Sequence, residues 1–525
     1  MARRRPVSIV FYAINGRGLG HLTRLLAIAR AARELLEAMD VSSEMEFVTT
    51  SEASFIADDF AVYKLPSKTA VARAGAARDR YIQRSKLLVS NLVAAQSPDL
   101  LVLDTVPYGA FQELAFLRSY ARATAYIYRH QDLRSASSDL VQRHLELFDR
   151  IVVPDTEDNA NEYPVPNVAR GRMSFVGSIH GYDASGAWDR ERVHAYFGIP
   201  HDRRIVYVAA GGGGDGRVWL DTLIRAVASD PSIVVLAGYG PLHRGDCIHL
   251  PNVVPLREGN VSRYFGGVDA AISAAGYNSF EELLAARVPT LFYAQEKGLD
   301  RQDMRIARGV EQGIVAEIAA NADPGLVRGR LDEILAGPAR FAISSALERR
   351  TPPEGALRAA VELLGVCASL DGSSVDRAAL FELAAWKRSI PAGSTAAFTG
   401  AARAYRVWRA LAATSPDIAK ERDEAAASWW SGRSSSSAAL SHGAALLEAR
   451  ASSGLDDAAW RAVVQSFATH AGTRAHERKL EDLLDAVRAV GPELARLVET
   501  QPRATLRQTI LDLARERDAR ADTTH

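Results

Sequence analysis

A short apolar run that empties into a cluster of glycines and continues as an amphipathic helix occurs twice in this chain. Val7–Ala13 leads into Asn15-Gly16-Arg17-Gly18-Leu19-Gly20-His21, then into a helix with Leu22, Leu25, Leu26, Ala29, Ala32 and Leu36 on one face. Arg204–Ala209 leads into Gly211-Gly212-Gly213-Gly214-Asp215-Gly216, then into a helix through Trp219, Leu223 and Val227. A strand that is apolar throughout must be covered on both faces, and the helices that alternate with it supply the cover. The pattern therefore predicts an α/β fold with parallel sheets.

The same rhythm fills the first two thirds of the chain. Further strands are expected at 46–50, 61–65, Leu100–Leu103, 125–128 and Arg150–Val153, then at 232–237, Val253–Leu256, 269–273, 288–293 and 314–318. A Gly-, Ser- and Asp-rich break at 177–186 divides them. The reading is two tandem Rossmann-like domains, 1–178 and 187–350, facing a cleft, with a return helix at 351–366 and a helical extension at 367–525. In that extension, helices are expected at 405–411, 444–450, 458–467, 480–490 and 506–515, with Ser434 to Ser437 as a linker. Its role stays open between binding a protein partner, covering the cleft and self-association.

Composition removes several function classes. With 63 basic and 63 acidic residues the 525-residue chain carries no net charge, against a bulk electrostatic role on nucleic acid. Cys247 and Cys367 are its only cysteines, too few for a disulfide framework or a multi-cysteine zinc site. No apolar stretch approaches the roughly 18 residues of a membrane span. The basic start Met1-Ala-Arg-Arg-Arg-Pro lacks the apolar region of a signal peptide. A cytoplasmic protein is expected.

The first glycine turn has the spacing G-x-G-x-G, which is not the dinucleotide fingerprint, and it lacks the Lys-Ser/Thr of a Walker loop. Such a turn either closes tightly for its own sake or lets backbone N–H groups approach an anion at a helix start. Gly211 to Gly214 offer the same pair of readings in the second domain. The segment Ser273-Ala-Ala-Gly276-Tyr-Asn278-Ser279-Phe-Glu281-Glu282 places a carboxylate just past a strand end. It reads either as a capping box built on Asn278 or Ser279, or as a carboxylate accepting two sugar hydroxyls. Asp300-Arg301-Gln302 comes after the next strand on the same side of the sheet.

Together these segments resemble the glycosyltransferases of the GT-B fold, nearest to the N-acetylglucosaminyltransferase of the lipid-linked peptidoglycan precursor and related bacterial enzymes. The resemblance covers residues 6–365: Gly16 to Arg24 look like the N-terminal Gly-Gly-His region, Ser273 to Glu282 like the nucleotide-sugar motif, and Asp300 to Gln302 like the downstream Asp/Gln motif. It implies a nucleotide-sugar donor, UDP-linked and of the N-acetylhexosamine kind, held by the second domain as a co-substrate rather than a cofactor. Glu282 would hold the ribose. Gly276, Asn278, Ser279 and Gly211 to Gly214 would receive the diphosphate, and Asp300 and Gln302 would meet the sugar. The first domain would take a small-molecule, lipid-linked or glycan acceptor, with Gly18, Gly20, Arg17 and Arg24 on the phosphate side.

Such a transfer needs a general base, and His21 and Asp104 are the two candidates. No carboxylate cluster suggests a metal, and the resemblance implies metal-independent transfer with inversion at the anomeric carbon. Lys68, Arg73, Arg78, Arg80, Arg84 and Lys86 stand against Asp79 alone, either a solvated helix face or a surface for an anionic acceptor or membrane headgroups. Arg129-His130-Gln131-Asp132 either lines the acceptor site or caps a helix. Two other functions suit the same fold: a sugar-nucleotide epimerase, and a scaffold that has lost its chemistry.

Overall fold

The computed structural model describes residues 5–14, 19–39, 41–104, 106–184, 186–211, 217–295, 300–350 and 354–389. The expected extension helices and the serine linker lie outside these residues, as do Gly16, Arg17, Gly18 and Gly212 to Gly216.

The first sheet is built from β1 (Val7–Ala13), β2 (Ser43–Thr49), β3 (Ala61–Lys64), β4 (Leu100–Leu103), β5 (Ala123–Ile127), β6 (Arg150–Val153) and β7 (Met173–Phe175). These seven strands pair in the order β3-β2-β1-β4-β5-β6-β7, all parallel. The second sheet has β8 (Arg204–Ala209), β9 (Ile233–Gly238), β10 (Val253–Leu256), β11 (Ala270–Ala274), β12 (Thr290–Tyr293) and β13 (Ala316–Glu317). Its order is β10-β9-β8-β11-β12-β13, again parallel throughout. The α/β class and the two Rossmann-like halves are thus present as expected.

Burial explains why these segments are strands. Every residue of β4, β5, β9, β11 and β12 is buried, so both faces of the central strands are covered. In the helix Gly20–Ala38 the residues Leu22, Leu25, Ala29, Ala32 and Leu36 are buried, the apolar face read from their spacing. The helix Arg217–Ala228 buries Leu220, Leu223, Ile224 and Val227 in the same way. The half-buried β7, Met-Ser-Phe, escaped the reading because three residues carry too little periodicity to register. The strand expected at 314–318 shrinks to the edge pair Ala316–Glu317.

One motif repeats at the strand entrances. Asp99 precedes β4, and its Oδ2 accepts the N–H of Ser8 in β1 at 3.0 Å. Asp269 precedes β11 and accepts from Ile205 of β8 at 2.8 Å, while Asp149 precedes β6 and accepts from Thr124 of β5 at 2.8 Å. Each carboxylate satisfies an N–H where the ladder starts and so pins the register of two neighbouring strands.

The helix Gly355–Ala368 packs back on β4, β5 and β6 of the first sheet. Its Gly355 meets the carbonyls of Gly177 and Ser178 so closely that a Cβ would stand 2.2 Å from the Ser178 oxygen. Arg150 and Glu362 pair at 3.1 Å across this contact. Residues 1–33 and 43–373 form one compact unit, which contains both sheets, and 34–42 with 374–525 form a second. In the second unit the helix Arg377–Ser389 carries Lys387, which pairs with Glu34 and which burial lowers to about 8. The basic stretch forms the helices Lys68–Arg73 and Arg78–Gln96, on which Lys68, Arg73, Arg78, Arg80 and Arg84 are exposed.

Candidate functional site

In a doubly wound sheet, ligands collect outside the carboxyl ends of the strands, where the winding reverses. The first sheet reverses between β1 and β4, and the second between β8 and β11. His21 lies past the end of β1 and Asp104 past that of β4; Gly211 lies past β8 and Gly276 past β11. These four of the residues singled out from sequence therefore sit at the two reversal points, while Asp300 and Gln302 follow the neighbouring strand β12.

At the first, Asp104 ends β4 with its N–H on the Tyr12 carbonyl at 3.1 Å. Its Oδ1 lies 2.9 Å from His21 Nδ1, and its Oδ2 accepts from Arg24 Nε at 2.9 Å. His21 and Arg24 are one helical turn apart, so one face of the helix Gly20–Ala38 delivers both to the same carboxylate. The Asp104 side chain is wholly buried, whereas 15% of His21 is exposed. Burial alone would raise Asp104, but Arg24 and His21 reverse this and hold it below the usual carboxylate range. Burial is also the largest influence on His21; with Arg129 and Arg24 it outweighs Asp104 and lowers the imidazole. A neutral His21 that donates Nδ1–H to Asp104 presents a basic Nε2.

Arg24 is turned inward. Its guanidinium lies 5.0 Å from the centre of the Tyr277 ring, which Arg305 approaches from 5.5 Å. Tyr277 OH accepts from Ile179 N at 2.8 Å and donates to the Pro154 carbonyl at 3.1 Å. Thr23 Oγ1 receives a hydrogen bond from Asn278 Nδ2, and Asn278 Oδ1 is buried without a partner among the described residues. The two halves thus meet through the first turns of two helices.

At the second reversal point the helix Tyr277–Ala285 starts one residue before Asn278, with Gly276 as its N-cap and no side-chain capping bond. The capping box on Asn278 or Ser279 is therefore not formed. Around a Cβ on Gly276 nothing among the described residues lies within 4 Å, and its φ of −59° is open to any residue. Gly211 has φ +81°, a conformation glycine adopts freely, and a Cβ on it or on Gly20 would likewise meet nothing within 4 Å among the described residues. Ser279 is half-buried in the first turn of its helix. Glu282 is half-buried, accepts from Gly181 N at 3.3 Å, and is pushed up to about 7 by burial. Gln302 is buried: its Oε1 accepts from Gln295 N at 3.0 Å and its Nε2 donates to Asp300 Oδ2 at 3.1 Å. Arg305 closes the group, pairing with Asp300 Oδ1 at 2.8 Å.

Sequence reading did not single out Arg305 or Tyr277. Arg305 lies three positions after Gln302 on one helix face, which the sequence does record; the role of Tyr277 as a ring that two guanidiniums approach leaves no trace there. Asp132 caps the helix Leu133–Ala136 by accepting from Ser135 N at 3.0 Å. His130 pairs with Glu162 at 3.0 Å, and Glu162 also pairs with Arg308 of the second half. Among the described residues no group of three or more His, Cys, Asp and Glu side chains is placed to share a metal ion, and no helix is long and apolar enough to cross a membrane.

The class that the fold and these strand-end residues define is a two-half α/β protein with its candidate site at paired reversal points. No protein-family model matches the chain, and no curated protein matches its sequence. Among solved structures it is similar to a glycotransferase of kitacinnamycin, at 15% identity and TM-score 0.47, over 69% of this chain and 98% of that one. It is similar to Acinetobacter baumannii MurG at 12% identity and TM-score 0.45, over 69% of this chain and 100% of the other. A putative UDP-N-acetylglucosamine 2-epimerase from Listeria monocytogenes is similar at 13% identity and TM-score 0.48, over 71% and 98%.

Proposed function

We propose that this protein transfers a glycosyl group from a nucleotide sugar, UDP-linked and of the N-acetylhexosamine class, to an acceptor hydroxyl in the cytoplasm, with inversion. The observation that carries the reading is the His21–Asp104–Arg24 array at one reversal point, joined through Thr23 and Asn278 to the glycine-led helix at the other. A neutral base and an anion-binding helix start are what the two ends of this reaction need.

The acceptor O–H proton passes to His21 Nε2 as the acceptor oxygen bonds to the anomeric carbon. The bond from that carbon to the phosphate oxygen breaks, and its electron pair leaves with the diphosphate. Asp104 keeps Nδ1 protonated and stabilises the imidazolium that forms, while Arg24 keeps Asp104 ionised. Backbone N–H groups at Gly276, Asn278 and Ser279, with the Gly211 to Gly214 turn, meet the departing charge in place of a metal ion. Glu282 takes the ribose hydroxyls, and Asp300 and Gln302 take the sugar.

The test begins with thermal stabilisation by UDP, dTDP, GDP, ADP and NAD. A ligand at about 100 times its Kd adds about 2.7 kcal/mol. Stabilisation by UDP, followed by acceptor-dependent release of UDP from its sugar conjugate, is the expected result. Full conversion of the sugar nucleotide without an acceptor identifies an epimerase instead. A folded protein indifferent to every nucleotide rejects both.

A further inference from the structure

The guanidiniums near the two reversal points are matched with carboxylates. Arg24 is held by Asp104 at 2.9 Å, Arg305 by Asp300 at 2.8 Å, and Arg308 by Glu162. Arg129 differs: its Nε is buried and has no hydrogen-bond partner among the described residues. A guanidinium cannot shed its proton to escape this, and an unsatisfied buried donor on a charged group is among the costlier defects in a fold.

Arg129 leaves the first sheet two residues past β5, beside the strand that delivers Asp104. Its charge acts on His21 of the first half and on Asp300 of the second. The next residue, His130, pairs with Glu162 at 3.0 Å, and Glu162 also binds Arg308 of the second half. Arg129 thus carries a buried donor with no hydrogen-bond partner among the described residues, placed where both halves contribute side chains. The planar fork of its guanidinium matches the geometry of a phosphate or carboxylate.

We infer that Arg129 binds an oxyanion of the substrate at the strand-end side of β5, next to the strand that delivers Asp104. The inference rests on the proposed transfer reaction only for the source of that oxyanion, which is either the phosphoryl end of the donor or an anionic substituent of the acceptor. With no anion bound, Arg129 is among the groups that keep His21 neutral. An anion bound there cancels this influence, so the imidazole gains proton affinity as the substrate arrives.

The experiment measures binding of inorganic pyrophosphate, inorganic phosphate and UDP to the full chain and to Arg129→Lys and Arg129→Gln. Expected is a loss of about tenfold to a hundredfold in pyrophosphate affinity for Arg129→Gln and a smaller loss for Arg129→Lys. A parallel fall in UDP affinity, with phosphate excluded by saturating UDP, assigns the oxyanion to the donor. Phosphate binding that persists beside UDP and depends on Arg129 assigns it to the acceptor. A folded Arg129→Gln that binds the anions like the wild type overturns the inference, as does a wild type that binds none. Should Arg129→Gln not fold, the His21 imidazole titration in the wild type decides: pyrophosphate raises its pKa, and an unmoved pKa overturns the inference. If UDP affinity depends on Glu282 but no anion depends on Arg129, the transferase reading survives alone. Arg129-dependent anion binding without nucleotide binding leaves the inference and removes that reading.

Discussion

His21 and Asp104 stand 83 residues apart in the chain and 2.9 Å apart in space, imidazole Nδ1 to carboxylate Oδ1. The pairing is a consequence of the winding of the first sheet. β1 and β4 are neighbours at the reversal point, so the segment leaving one strand meets the segment leaving the other. The two residues that compete as base in a sequence reading thereby become parts of a single device, in which Asp104 also neutralises the buried Arg24.

Replacing His21 and replacing Asp104 should have different consequences. His21→Ala is expected to lower kcat by about 10²- to 10⁴-fold while leaving the Kd for UDP within about twofold. Asp104→Ala should also lower the denaturation midpoint, because it leaves Arg24 buried without its partner, a loss of about 3–5 kcal/mol. Single-turnover kinetics and chemical denaturation of both variants check this. Equal stability in the two would contradict the buried pair.

The pH profile should carry the depressed His21. Its folded pKa lies below the ordinary 6.5, so kcat/KM rises with pH through a value under 6.5 and is level at neutral pH. A profile still climbing steeply between pH 7 and 8 would remove His21 from the role of base.

Glu282 works in the opposite sense. Its folded pKa of about 7 exceeds the ordinary 4.5, so the folded state holds this proton more tightly than the unfolded one. The stabilisation is complete below about pH 4.5 and is lost as pH rises through 7. Glu282→Gln should therefore gain stability relative to wild type over that window, by about 1–2 kcal/mol after allowance for water reaching the half-buried carboxyl. UDP affinity of the wild type should strengthen from pH 6 to 8, as the carboxylate becomes the acceptor for ribose hydroxyls. In the variant that trend should vanish, which calorimetry at three pH values reads directly.

Two glycines separate folding from binding. At Gly355 an added Cβ meets backbone oxygen at 2.2 and 2.6 Å, so Gly355→Ala should cost about 1–3 kcal/mol in a thermal melt. At Gly276 the space is open among the described residues and the φ ordinary, so Gly276→Ala should melt like the wild type yet bind UDP at least tenfold more weakly. Unchanged UDP affinity would take the diphosphate away from this helix start.

The strand-entrance carboxylates should matter for stability alone. Asp269 bonds Ile205 N and the Arg190 guanidinium, each at 2.8 Å, and Asp269→Ala should cost about 2–3 kcal/mol in urea with unchanged UDP affinity.

What the sequence determined by itself was local and periodic. Leu100–Leu103, Arg150–Val153, Arg204–Ala209 and Val253–Leu256 were legible to the residue, because an apolar run between turn residues has few other fates. The buried face of the helix Gly20–Ala38 was legible from its spacing. The sequence was silent about β7, about the aspartates that pin strand entrances, and about the environment of each site residue. Only the tertiary structure decided that Arg24 faces Asp104 and Tyr277, that Asn278 reaches Thr23, and that Arg129 Nε is buried with no hydrogen-bond partner among the described residues. The physical reason is that periodicity encodes which face of an element is buried. A partner's identity depends instead on which strand ends the sheet order brings together, and no local pattern records that order.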